Sequence, residues 1–149
     1  MLHENQLQGD LVRSTDAYLN EYVPLEQSRR AYLTGFTGSA GDVLVTQNKA
    51  ILFVDGRYAI QAKAEAPDFE VRVLPLGQSI ESAWMAELET WKDFKIGVES
   101  DRISVNLYEK LKKFHLAELP AFGPAYPKAS AGRPATWAVP ESITGESTA

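Results

Sequence analysis

Cysteine is absent from the 149 residues, which removes disulfides and thiolate metal sites from consideration and says little about compartment. No apolar run approaches the roughly 18 residues of a membrane-spanning helix. The opening stretch MLHENQLQGDLVRS has neither the basic n-region nor the apolar h-region of a secretory signal. No membrane partner is expected, and the cytoplasm is the expected compartment. Positive charge is also short: the net charge of -5 argues against non-specific nucleic-acid binding, which needs clustered Lys and Arg to release counterions. The one basic cluster, Lys110, Lys112 and Lys113, reads as the solvated face of a helix. Histidine is scarce, with His3 near the chain start and His115 at an expected helix end, and both read as surface residues.

What is present suits a globular protein. An apolar fraction of 44% and a charged fraction of 23% need neither disorder nor a fibrous repeat to explain them. The length allows one domain plus ends: a domain over residues 1–119, then an irregular tail or linker over 120–149 with five prolines and no helical or strand period.

Along the chain, the first dozen residues suggest a short helix, and DAYLNEYV (16–23) alternates enough to suggest a strand ended by Pro24. LEQSRRAYL (25–33) places Leu25, Arg29, Tyr32 and Leu33 at roughly helical spacing. DVLVT (42–46) and AILFVD (50–55), joined by Gln47, Asn48 and Lys49, predict an antiparallel hairpin. A helix over 56–66 follows, with Tyr58, Ala62 and Ala66 on one face, and FEVRVLPL (69–76) alternates as a half-buried strand. Ser79 caps an amphipathic helix running to about Phe94 through Ile80, Trp84, Leu88 and Trp91. KIGVE (95–99) is a short strand, and 104–115 a helix with Leu107, Tyr108, Leu111 and Phe114 on its apolar face. The fold class expected is α/β, a mixed sheet flanked by helices.

The chemistry-bearing patterns are few. Gly35, Gly38 and Gly41 precede a strand rather than a helix, and Asp42 stands where a P-loop needs Lys, so they do not form a phosphate cradle. Ser39 directly follows Gly38 and lacks the G-x-S-x-G context of a nucleophile elbow. Glu65, Asp68, Glu70, Glu87 and Glu89 are scattered over helix faces and loops, without the convergence that a hard cation demands. The glycines read as shaping a compact turn, with Phe36 packed inward and Thr37 and Ser39 satisfying backbone groups. Asp55-Gly56-Arg57-Tyr58 is a second turn, in which Asp55 caps the next helix or Arg57 reaches outward as a forked donor.

Taken in order, R-x-x-L-T-G-F-T-G-S-A-G, a hairpin with a polar turn, and D-G-R-Y-x-x-Q-A resemble the amino-terminal domain of Xaa-Pro aminopeptidases (aminopeptidase P), of the creatinase/prolidase group. The resemblance covers roughly residues 14–115. It implies a ribonuclease-H-like mixed sheet, with catalysis in a separate carboxy-terminal pita-bread domain where two Asp, two Glu and one His bind two manganese ions. Nothing after residue 115 resembles that domain, so no cofactor and no catalytic residue is expected in this chain. The resemblance further implies a homodimeric parent enzyme acting on short Xaa-Pro peptides. It points to Arg57 as reaching the substrate cleft, held by Asp55 and Tyr58, with Gly35, Phe36, Gly38, Ser39, Gly41 and Gly56 shaping the adjoining turns. One departure stands out. The family's longer segment between DAYL and EYVP, with its acidic residue and histidine, reads as missing or shortened here. A stand-alone binding or assembly module of the same fold, and an accessory domain of a related amidinohydrolase or prolidase, are the alternative readings.

Overall fold

The computed structural model describes residues 7–16 and 18–119. Its centre is the hairpin of β2 (Asp42–Thr46) and β3 (Ala50–Asp55), antiparallel with Val43 opposite Leu52 and Leu44 opposite Ile51. Near-continuous apolar strands of this kind belong in a sheet covered on both faces, and both faces are covered. β4 (Glu70–Leu74) lies parallel to β3, as a strand returning through helix α2 (Ala59–Glu65) should. On the other side of β2, β1 (Gly9–Val12) pairs antiparallel with it and parallel with β5 (Lys95–Val98), and β6 (His115–Glu118) closes that edge parallel to β5. The order is β4-β3-β2-β1-β5-β6, a mixed sheet whose antiparallel part is the expected hairpin with β1 added.

Alternation along each strand divides the core in two. Val43, Leu52 and Val54 face α1 (Arg29–Thr34) and α2, where Leu33, Phe36, Ala62 and Ala66 complete one cluster. Leu44, Ile51 and Phe53 face α3 (Ile80–Thr90) and α4 (Val105–Leu111), where Trp84, Leu88, Leu107 and Leu111 complete the other. Ser79 caps α3 as its spacing predicts, accepting from the Ser82 N–H, and Ser104 caps α4 in the same way through Leu107. The indole of Trp84 is fully buried and donates to Asp42 Oδ2 at 3.0 Å.

Several expectations need correction. Residues 16–23 are not a strand: the Asp16 carboxylate accepts from the backbone N–H of Tyr18 and Asn20 and from the Asn20 side chain, which folds the segment into a turn with Tyr18 and Tyr22 in solvent. The strand comes earlier, at Gly9–Val12, where a helix was expected for the first dozen residues. Among the described residues, 13–16 and 18–24 carry no helix or strand and link β1 to the turn before α1. α3 ends at Thr90 and α4 at Leu111, both short of the expected limits. His115 opens β6, a strand with no counterpart in the sequence-based expectation. Lys112 and Lys113 lie past the helix rather than on it, and pair with Glu109 and Glu89. The expected tail over 120–149 lies outside the described residues.

Candidate functional site

β3 and the connection from α1 into β2 meet at one end of the sheet, and this brings the two glycine-containing motifs together. Gly35 terminates α1 in the left-handed region (φ 80°), its N–H on the Ala31 carbonyl at 2.8 Å, the geometry of a glycine C-cap. The chain then buries Phe36 under the turn and passes Gly38 so close to it that a Cβ there would collide with the Phe36 ring and sit 2.8 Å from Tyr58. Gly38→Ala is expected to destabilise the domain by about 1–3 kcal/mol through overpacking, read from urea unfolding. A loss within error would mean that the turn relaxes freely. Gly41 is also closely packed, against Phe36 and the Phe53 carbonyl, whereas Gly56 has open space around it.

Tyr58 is the hinge of the arrangement. Its ring meets Phe36 edge-on with centroids 5.5 Å apart, and its hydroxyl shares a 2.5 Å hydrogen bond with Ser39 Oγ and accepts from the Ser39 N–H at 3.3 Å. The Ser39 hydrogen bond draws the phenol below its ordinary range. Glu65, at the end of α2, accepts from the Thr37 N–H at 2.8 Å, from the Thr37 hydroxyl at 2.9 Å and from Gln61 at 3.2 Å. Partial burial pushes the Glu65 carboxyl up, but these hydrogen bonds outweigh it and hold the group below the usual range. Thr37 thus bonds to side chains, and it is Thr34 whose hydroxyl accepts from the Phe36 N–H.

Asp55 caps its turn and also holds the Arg57 side chain. Its carboxylate accepts from the Arg57 N–H at 3.0 Å and grips the guanidinium through Nε at 3.1 Å and Nη2 at 2.9 Å. The Arg57 hydrogen bonds lower the Asp55 pKa, and those same bonds raise that of Arg57. The guanidinium lies 5.2 Å from the Tyr58 ring centroid, and the side chain is 68% exposed. A planar, always-charged donor is thereby held at one place on the surface with most of its area facing solvent. The exposed Tyr22 of the 13–24 loop contributes to its electrostatic surroundings.

Sequence reasoning singled out Asp55, Arg57, Tyr58 and the glycine turn, and the structure places all of them in one region. It missed Glu65 and Gln61, whose part depends on α2 lying across the turn, and it missed Arg30 beneath it. No three His, Cys, Asp or Glu side chains among the described residues come together to hold a metal ion, so a manganese pair does not fit these residues. No helix among them is long and apolar enough to cross a membrane.

Comparison with known proteins agrees with this architecture. The family model described as the creatinase/prolidase N-terminal domain matches residues 2–127. Xaa-Pro aminopeptidase 1 of Dictyostelium discoideum is 33% identical over 115 residues, and aminopeptidase P1 of Lotus japonicus 34% over 112; each match takes in 74% of this chain. The chain covers only 18% and 17% of those relatives' lengths. Among solved structures, the X-prolyl aminopeptidase of Caenorhabditis elegans, described as a cytosolic enzyme with a di-nuclear active site, superposes with a TM-score of 0.62 at 27% identity over 86% of this chain and 22% of its own. The N-terminal domain of a metallopeptidase from Corynebacterium diphtheriae gives 0.58 at 25% identity over 82% of this chain and 88% of its own. The shared sheet, the joined motifs and a family match running over most of its length establish that this chain belongs to the creatinase/prolidase N-terminal domain family.

Proposed function

We propose that this domain is the non-catalytic amino-terminal part of a metal-dependent Xaa-Pro aminopeptidase, where it walls the substrate cleft, admits short peptides and contributes to dimer contacts. The observation that carries this reading is the exposed guanidinium of Arg57, gripped by Asp55 through two nitrogens beside Tyr58. Donors held in advance lose little freedom when they meet a peptide carbonyl or carboxylate. In this reading Asp55 orients, Arg57 binds, and the Ser39–Tyr58 hydrogen bond keeps the two turns in register. The bond-breaking chemistry belongs to a carboxy-terminal pita-bread domain with two manganese ions, outside this chain, and the working compartment is the cytoplasm.

The test uses the longer polypeptide in which this domain adjoins its catalytic partner. Arg57→Ala is expected to lower kcat/KM for an Xaa-Pro peptide by about 10–100-fold, mostly through KM, with the circular dichroism unchanged. Unchanged hydrolysis and unchanged oligomeric state remove the assignment and favour a binding or assembly module with this fold. This chain alone, supplied with manganese, is expected to give no turnover; turnover would overturn the division of labour.

A further inference from the structure

Two consecutive arginines of α1 are buried, and the structure treats them differently. Arg29 faces the carboxylates of Glu99 and Asp10. Arg30, 4% exposed, has no carboxylate within 4.0 Å among the described residues. Its Nη1 donates to the Gly41 carbonyl at 3.2 Å and its Nη2 to that of Gly38, the guanidinium lies 4.9 Å from the Phe36 ring centroid, and Nε has no hydrogen-bond partner among the described residues. Burial draws the Arg30 pKa down, opposed by the more distant carboxylates of Asp42 and Glu65 and by the Tyr58 phenol. A buried cation satisfied by two neutral carbonyls has lost its hydration without gaining a counter-ion, a costly state that an arriving anion relieves.

Such an anion has a place to go. A cavity of about 150 Å³ opens beside Arg30, lined also by Ser14, Ser28, Tyr22, Thr37 and Ser39, and among the described residues no Asp or Glu contributes to its wall. Ser28 Oγ accepts from the Ala31 N–H, which leaves its own proton to donate. The Ser14 backbone is fixed by its N–H on Asp42 at 2.9 Å, so its hydroxyl is carried by an anchored residue. A buried cation and hydroxyl donors, with the Asp42 and Glu65 carboxylates behind the wall already engaged by Arg13, Ser14, Thr37 and Gln61, are the complement of an oxyanion.

We propose that this cavity is a carboxylate-binding site, with Arg30 as its cation and the Ser14 and Ser28 hydroxyls as flanking donors. Its ligand is a small carboxylate or the free carboxy terminus of a short peptide. The site does not depend on Arg57 serving a peptide cleft, and its test needs no catalytic domain. The full 149-residue chain, labelled with ¹⁵N, is titrated with sodium acetate, with the dipeptide Ala-Ala and with its carboxy-terminal amide, at ionic strength fixed by sodium chloride. The Gly38 and Ser39 amides and the Arg30 Nε–H are followed. Saturable shifts are expected with acetate and with Ala-Ala but not with the amide, and Arg30→Met is expected to weaken the affinity at least about tenfold. Tighter binding of Ala-Ala than of acetate assigns the site to peptide termini, and the reverse order to small carboxylates. Shifts that stay linear to about 50 mM in the wild-type chain, that match those of the amide, or that persist in Arg30→Met overturn the proposal. Ser14→Ala, a milder change that keeps the cation, is expected to weaken acetate several-fold and supplies the variant arm if Arg30→Met does not fold.

Discussion

Arg29→Ala is expected to destabilise the domain by about 3–5 kcal/mol, since it leaves two buried carboxylates without the cation between them. Arg29 is 1% exposed on α1, paired with Glu99 just after β5 and 3.9 Å from Asp10 of β1. Arg102 approaches Glu99 from the other side at 3.6 Å, donates to the Gln27 carbonyl at 3.1 Å and, through its own carbonyl, accepts from the Thr15 hydroxyl at 2.6 Å. One charged cluster therefore ties β1, α1, β5 and the 13–28 segment together, and removing its centre acts on all four. Urea unfolding at pH 7 measures the loss. A value under about 1 kcal/mol would mean that the two acids are satisfied without the guanidinium. Combining Arg29→Met with Asp10→Asn and Glu99→Gln is expected to restore much of the stability, because it removes the ionised groups together rather than stranding them.

The same cluster makes stability depend on pH in a direction opposite to that of most carboxylates. Burial pushes the Asp10 carboxyl from 3.8 up to about 7, against the attraction of Arg29 and with the help of Glu99. Glu99 is raised as well, burial again outweighing Arg29 and Arg102. The folded chain thus keeps a proton on Asp10 that the unfolded chain releases. This contribution is fully present below pH 3.8 and is lost as pH rises through about 7. A tenfold difference in proton affinity between the folded and unfolded chain corresponds to about 1.4 kcal/mol, so the swing reaches a few kcal/mol. Asp16 and Asp55, whose pKa values are lowered by their hydrogen bonds, act with the opposite sign at lower pH. Comparison with Asp10→Asn isolates the buried group: between pH 4 and pH 7.5 the wild-type chain is expected to lose stability relative to the variant. Parallel curves for the two proteins would show that Asp10 ionises normally in the folded state.

What the sequence displayed depended on how local each cause is. The β2–β3 hairpin and α3 were legible because Val43, Leu52, Trp84 and Leu88 carry their periods within a few residues. β1 was not, because Gly9 and Asp10 are poor strand formers, made into a strand by partners at Val45 and Gly97. Residues 16–23 misled in the other direction: tyrosines and Leu19 spaced like a strand stand in solvent, since the Asp16 side chain satisfies the backbone that a sheet would otherwise claim. At the candidate site, Asp55, Arg57 and Tyr58 were readable from their turn. The charged cluster was not, since its members sit at positions 10, 29, 99 and 102 and meet only in three dimensions. One trace was visible: Arg29 falls on the apolar spacing of its helix, where a surface arginine has no reason to be.

The place of β1 in the sheet also bears on how the chain assembles during synthesis. β4-β3-β2 can form from residues 42–74 alone, whereas β5-β6 joins that half only through β1, the four residues Gly9–Val12. A strand made first waits, docked on β2, until the ribosome has delivered residues 95–98 for its other side. Ring closure over so long a stretch is slow relative to local pairing. Released chains that end before residue 95 should therefore expose the open side of β1 to chaperones, and those that extend beyond residue 118 should not.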